Sequence, residues 1–157
     1  MELIVARILH VIGVVLWIGG VAMVTTVLLP ALRRRRSSEE RRQFFERIEA
    51  GFARQARWTT LITGLSGFYL VYALHVWDRF RQAGYWWMHA MVFVWAIFTL
   101  MLFVLEPLWL HRWFEDSAQR RPERTFTLIQ RLHWLLLTLS LLTVAGAVAG
   151  SHGWLPR

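Results

Sequence analysis

The chain has 157 residues, 56% of them hydrophobic, no cysteine, and a formal charge of +8 in which all 18 basic residues are arginine. Without cysteine there is no disulfide, thiolate metal site, iron–sulfur cluster or thioether-linked haem. Soluble domains carry about 45–50% apolar residues; here the excess is gathered in runs and the arginines flank those runs, which argues against both a soluble enzyme and a nucleic-acid surface.

Four runs, residues 3–29, 58–77, 86–110 and 132–150, approach or exceed the roughly 20 apolar residues that a membrane span needs. With their connectors they take up the whole of 1–157, which predicts one all-α domain, an integral membrane four-helix bundle. The first helix is expected to stop at Pro30, because proline ends a helix at the preceding residue. Its single charge, Arg7, and its long apolar stretch read as a retained span rather than a cleavable leader. Arg33–Arg36 follow as an interfacial anchor. Ser37 and Glu40 stand at capping-box spacing and open an amphipathic segment, about 38–57, with Phe44, Ile48 and Phe52 on one face. Such a segment lies on the membrane surface or extends the second helix into the cytoplasm.

In the second run Gly64 and Gly67, with Thr60 and Thr63, permit close helix approach. Trp77, Tyr85, Trp86 and Trp87 bracket the next connector as an aromatic belt. The third run contains Pro107, a predicted kink, and the fourth ends in small residues, Ala145 to Gly150. Nine arginines lie between Arg33 and Arg57 and five between Arg112 and Arg131, whereas the second connector holds Arg79 and Arg81. Positive charge collects on the cytoplasmic side. Connectors 1 and 3 are therefore expected in the cytoplasm and both termini on the periplasmic or exterior face of a bacterial-type inner membrane.

Ionisable groups inside hydrocarbon are costly and mark function, and imidazole is the commonest ligand for metals and haem iron. The topology puts His10, His75, His89 and His152 toward one boundary and His111 and His133 toward the other. Arg7, Gly13, Trp17 and Gly20 share the helical face of His10. Glycine leaves room for a flat macrocycle, Trp17 would line it, and Arg7 could pair with a propionate. Gly64, Gly67 and His75 share a face of the second helix in the same way. Met88, His89 and Met91 admit two readings: thioether with imidazole suits copper, and imidazole alone suits haem iron. His111 and His133, with Glu106, are candidates for a second site. His89 and His111 stand about 33 Å apart along a helix and cannot share an iron. Glu106, the one acid near hydrocarbon, could pair with Arg112.

His10 with Trp17, Gly19 and Gly20 resembles the first-span signature shared by CopD-type copper-resistance membrane domains and HemJ-type protoporphyrinogen oxidases. Arg54-Gln55-Ala56-Arg57 leading to Gly64 and Gly67 is similar to their second span, and Trp87-Met88-His89 to the start of the HemJ-type third span. The resemblance implies a membrane helix bundle that binds haem b through His10 and His89 and oxidises protoporphyrinogen IX, or one associated with copper uptake. Met91 stands where the HemJ pattern has lysine, and Gln130-Arg131-Leu132-His133 where it has Asn-Glu; both departures weigh against the oxidase more than against haem. The leading expectation is a haem b protein of electron transfer, an oxidoreductase if it is an enzyme, with His10 and His89 as axial ligands and His75 in reserve. It would serve a membrane redox partner or quinone. The alternatives are a copper carrier using His10, His89, Met88 and Met91, a divergent protoporphyrinogen IX oxidase, and a structural subunit. The small-residue faces of helices 2 and 4 suit packing within one bundle or in a homo-oligomer.

Overall fold

The computed structural model describes residues 1–33, 38–110, 117 and 120–154. Those residues form helices and short connections, with no strand among them. Helix α1 (Glu2–Met23) passes into a π-helical turn (Val24–Leu28) and then into α2 (Leu29–Arg33). The first helix therefore does not stop at Pro30. Leu29 N–H bonds to Val24 O, five residues back, and this wider turn draws the carbonyl ring away from the proline side chain that would clash with it.

Helix α3 (Ser38–Ala73) is one element of 36 residues, about 54 Å long. The amphipathic segment and the second apolar run are a single helix, so the segment is continuous with the second run. It ends earlier than its apolar run: His75 lies beyond it, in the left-handed region at φ 53°. Val76 N–H bonds to Val71 O and His75 N–H to Tyr72 O, a Schellman motif with histidine at the position usually held by glycine. His75 consequently does not continue the face of Gly64 and Gly67.

Two 3₁₀ turns (Trp77–Arg81 and Ala83–Tyr85) lead to α4 (Trp86–Leu100), which runs into a π-helix (Met101–Leu110) containing Pro107. Helix α5 (Pro122–Ser151) begins ten residues before its apolar run, with Pro122 in the first turn, where a missing N–H costs nothing.

Pairwise contacts fix the directions. Along α1, Glu2 meets Tyr69, His10 meets Thr63 and Ser66, and Gly20 meets Phe52, so α1 and α3 are antiparallel. Gly64 and Thr60 meet Trp95, and Arg57 meets Leu102 and Glu106, so α3 and α4 are antiparallel. Gly146 and Gly150 receive Trp86 and Trp87, and Gln130 reaches Thr25. The result is an up-down-up-down bundle.

The interior holds two apolar clusters. Trp17, Val21, Val94, Phe98 and Leu137 fill the middle; Val24, Leu28, Leu29, Leu32 and Phe126 fill the end where α1 and α2 meet α5. Outward faces are as apolar as inward ones: Ile4, Ile8, Val11 and Val15 on α1 and Leu135, Leu141 and Leu142 on α5 are exposed. Apolar surface on all sides is the pattern of a helix in lipid. Three helical stretches, Glu2–Leu32, Ala83–Leu108 and Glu123–Ser151, are long and apolar enough to cross a membrane. The polar residues that dilute the second half of α3, namely Thr59, Thr60, Thr63 and Ser66, are buried inside the bundle.

Candidate functional site around His10

His10 is half-buried on α1, one turn from Gly13, and its ring lies in the groove against α3. Nδ1 is 2.9 Å from Thr63 O and 3.4 Å from Ser66 Oγ. A carbonyl can only accept, so Nδ1 carries a proton, and in the neutral ring the lone pair then sits on Nε2. No other protein group among the described residues bonds to the ring. A histidine fixed by an Nδ1–H to a backbone carbonyl, with Nε2 open, is how metal-ligating imidazoles are oriented.

Gly67 makes this contact available. A Cβ built at Gly67 would stand 2.9 Å from His10 Cε1 and 3.2 Å from Nδ1, so any larger residue pushes the ring off the Thr63 carbonyl. Glycine was read from the sequence as space for a macrocycle, but side chains of the bundle occupy these notches. His10 fills the one at Gly67, Trp95 that at Gly64, Thr63 that at Gly13 and Phe52 that at Gly20. Thus α1 and α3 approach closely, as small residues in membrane helices permit.

The remaining candidates are scattered. Trp17 is buried at 4% exposure, edge-on to Phe98 with ring centroids 4.8 Å apart, and its Nε1 has no hydrogen-bond partner among the described residues. Arg7 is exposed. His89 is exposed on α4 and packs edge-on against Phe80 at 5.3 Å. Met88 beside it is buried and Met91 is intermediate, so the side chains of this triplet leave α4 in different directions. Trp95 shares the depth of His10 because both pack on the Thr63–Phe68 stretch of α3; His89 lies about 9 Å further along α4. His75 is exposed in the turn after α3, tilted against Tyr72. His133 is half-buried, with Nδ1 donating to Ile129 O of its own helix at 2.9 Å. His111 lies outside the described residues. Among the described residues no group of three or more His, Asp or Glu side chains is placed to hold a metal ion.

Sequence reasoning missed Arg57: it offers Arg112, which lies outside the described residues, as the partner of Glu106. Glu106 pairs with Arg57, Nη2 to Oε2 at 2.8 Å, and the same guanidinium donates through Nε to Leu102 O at 3.2 Å. In the i→i+5 register of this segment, Leu102 O is the acceptor that residue 107 would serve, and Pro107 has no N–H. A proline within a span signals such an orphaned carbonyl, although not which residue supplies its donor. Gln130 is the second omission: its Nε2 donates to Thr25 O at 2.8 Å.

No family model matches the chain, and no curated protein or solved structure is significantly similar to it.

Proposed function

We propose that this is a four-span membrane protein that binds haem b through His10 and passes electrons to a membrane redox partner or quinone. The observation that carries the proposal is the fixed imidazole, with Nδ1–H on Thr63 O and Nε2 open, in a helix whose outer face is apolar. The interface between α1 and α3 is filled, so a macrocycle would meet His10 at its open Nε2 edge rather than enter between the helices. The HemJ-type resemblance implies His89 as a second ligand, but His89 is exposed about 9 Å further along α4, so the proposal rests on His10. Haem would supply one-electron chemistry; the protein's share is to orient the imidazole through Thr63 and to exclude water with the surrounding bundle.

The fourth crossing has a geometric argument. Helices α1 and α4 run in the same direction, so a chain with both in the bilayer must cross back between them, and α3 lies alongside both. The arginine distribution then orients the ends of α1 and α4 toward the cytoplasm and both termini outward.

Detergent-purified protein should show a Soret band that moves to longer wavelength, with resolved α and β bands, on reduction by dithionite, and His10→Ala should abolish them. Gly67→Ala should reduce haem retention by several-fold while preserving the bundle, because it moves the ring from its carbonyl. A folded protein without bound haem overturns the reading. If copper is found without iron, and Met91→Leu weakens its retention, the copper-carrier reading takes its place; oxidation of porphyrinogen by haem-loaded membranes would extend the proposal to the oxidase. A monodisperse particle free of both metals supports the structural-subunit reading.

A further inference from the structure

Among the described residues, seven of the eight buried serines and threonines dispose of their hydroxyls in the same way. Thr25, Thr59, Thr63, Ser66, Thr125, Ser140 and Thr143 each donate to the carbonyl four residues back. Thr60 is the exception. It has 0% exposure, and its Oγ1 meets no hydrogen-bond partner among the described residues. Trp17 Nε1 and Thr99 Oγ1 are likewise buried and without a partner.

These three groups come from three helices and share one depth. Trp17 touches Phe98, and Thr99 follows Phe98 in α4. Thr60 accepts the Trp95 indole N–H at its backbone carbonyl, 3.0 Å away, one turn of α4 before Thr99. The antiparallel run of α1 on α3 brings Trp17 level with the turn that contains Thr60: Gly13 lies on Thr59 and Thr63, Gly20 lies on Phe52, and a helical side chain leans back toward its own N-terminus. An unpaired polar group in a dry interior costs about 1–3 kcal/mol, and three in one place would be a heavy burden for a small bundle.

We infer that Trp17, Thr60 and Thr99 form a site for a buried water molecule at the centre of the bundle. The chemistry selects the ligand. An indole N–H only donates and a hydroxyl both donates and accepts, so the occupant must accept from one wall and exchange with two others. Water does this with the about three hydrogen bonds typical of internal waters. None of the three groups is charged, which disfavours an ion. The site lies one turn along α3 from Thr63, the acceptor of His10, and one turn from Arg57, so it stands between the two polar centres of the protein. It does not depend on haem.

The test compares full-length wild type with Trp17→Phe, Thr60→Val and their combination, in reversible unfolding from detergent micelles. If the groups face a dry core, Thr60→Val removes an orphan polar atom at nearly constant volume and stabilises the fold, whereas Trp17→Phe also leaves a cavity and is read through its coupling to Thr60→Val. If they share a water, each substitution shifts the unfolding equilibrium toward the unfolded state by roughly three- to tenfold, and the double substitution costs less than the product of the two. Thr60→Ser retains the hydroxyl and should restore most of the loss. Infrared spectra of wild-type protein should contain a water O–H stretch that moves in H₂¹⁸O and is lost in the double variant. Stabilisation by either single substitution, independent costs, or an ¹⁸O-insensitive wild-type spectrum would overturn the inference.

Discussion

Two prolines interrupt helices of this bundle, and the bundle answers each in the same backbone register with different chemistry. At Pro30, the π turn Val24–Leu28 leaves Thr25 O without an N–H, and Gln130 of α5 donates to it. At Pro107, the π segment Met101–Leu110 leaves Leu102 O without one, and Arg57 of α3 donates to it. The first donor is neutral and buried at 8% exposure, with its own Oε1 unpaired. The second is a cation that also binds Glu106, and the two side chains keep 37% and 29% of their exposure. A proline inside a membrane helix needs a donor from elsewhere. Solvent access decides its type: deep in the bundle an amide serves, and near the helix ends an ion pair is tolerated because water and headgroups share its solvation.

The largest loss is expected at Arg57. Arg57→Ala strips Leu102 O and Glu106 of their partner together. Removing one member of a fully buried pair costs about 3–5 kcal/mol; partial exposure reduces this to about 2 kcal/mol, measured as loss of unfolding free energy in micelles. Glu106→Gln should cost less than half as much, because the Leu102 bond survives. Equal losses would show that the ion pair, not the carbonyl, is what Arg57 serves.

At the neutral site, Gln130→Leu should cost about 1 kcal/mol, since it orphans Thr25 O but also removes the unpaired Oε1. Pro30→Ala restores an N–H that can reach Thr25 O in the existing register. In the Gln130→Leu background it should recover most of the loss, and in wild type it should change little. A Pro30→Ala effect that is the same in both backgrounds would mean that Gln130 and Pro30 are not coupled.

Both prolines were legible in the sequence, and the kink at Pro107 was expected. The responses are not legible, because the donors stand 105 and 45 residues from the carbonyls they serve and only the bundle brings them close. Pro30 was read as a stop because local rules price the lost hydrogen bond without a tertiary replacement. The depth of His10 was equally plain from its apolar flanks, yet its partner is a backbone carbonyl, which no side-chain pattern reveals. Gly67 was a visible signal with two meanings: space for a cofactor, or access to the main chain of α3. The packing of His10 against it favours the second. Helical periodicity made the all-α bundle readable throughout, because each helix carries its own hydrogen bonds and requires no long-range pairing to be recognised.

At a third departure from regular helix the compensation is local. Helices α3 and α5 both end in Schellman motifs, the second with Gly153 at φ 75° and Trp154 N–H on Ala149 O. Glycine takes that conformation freely; His75 takes it at φ 53° against its own Cβ. Its ring leans on Tyr72, which offsets part of the strain. His75→Gly should therefore stabilise the protein slightly, by under about 1 kcal/mol, the smallest of these effects and the only one of opposite sign in wild type. The same variant tests the reserve role of His75 in iron ligation. Haem retention should be unchanged, because a left-handed turn residue beyond α3 does not share the face of His10. Destabilisation together with loss of haem would instead mean that His75 holds its strained backbone for the sake of a ligand.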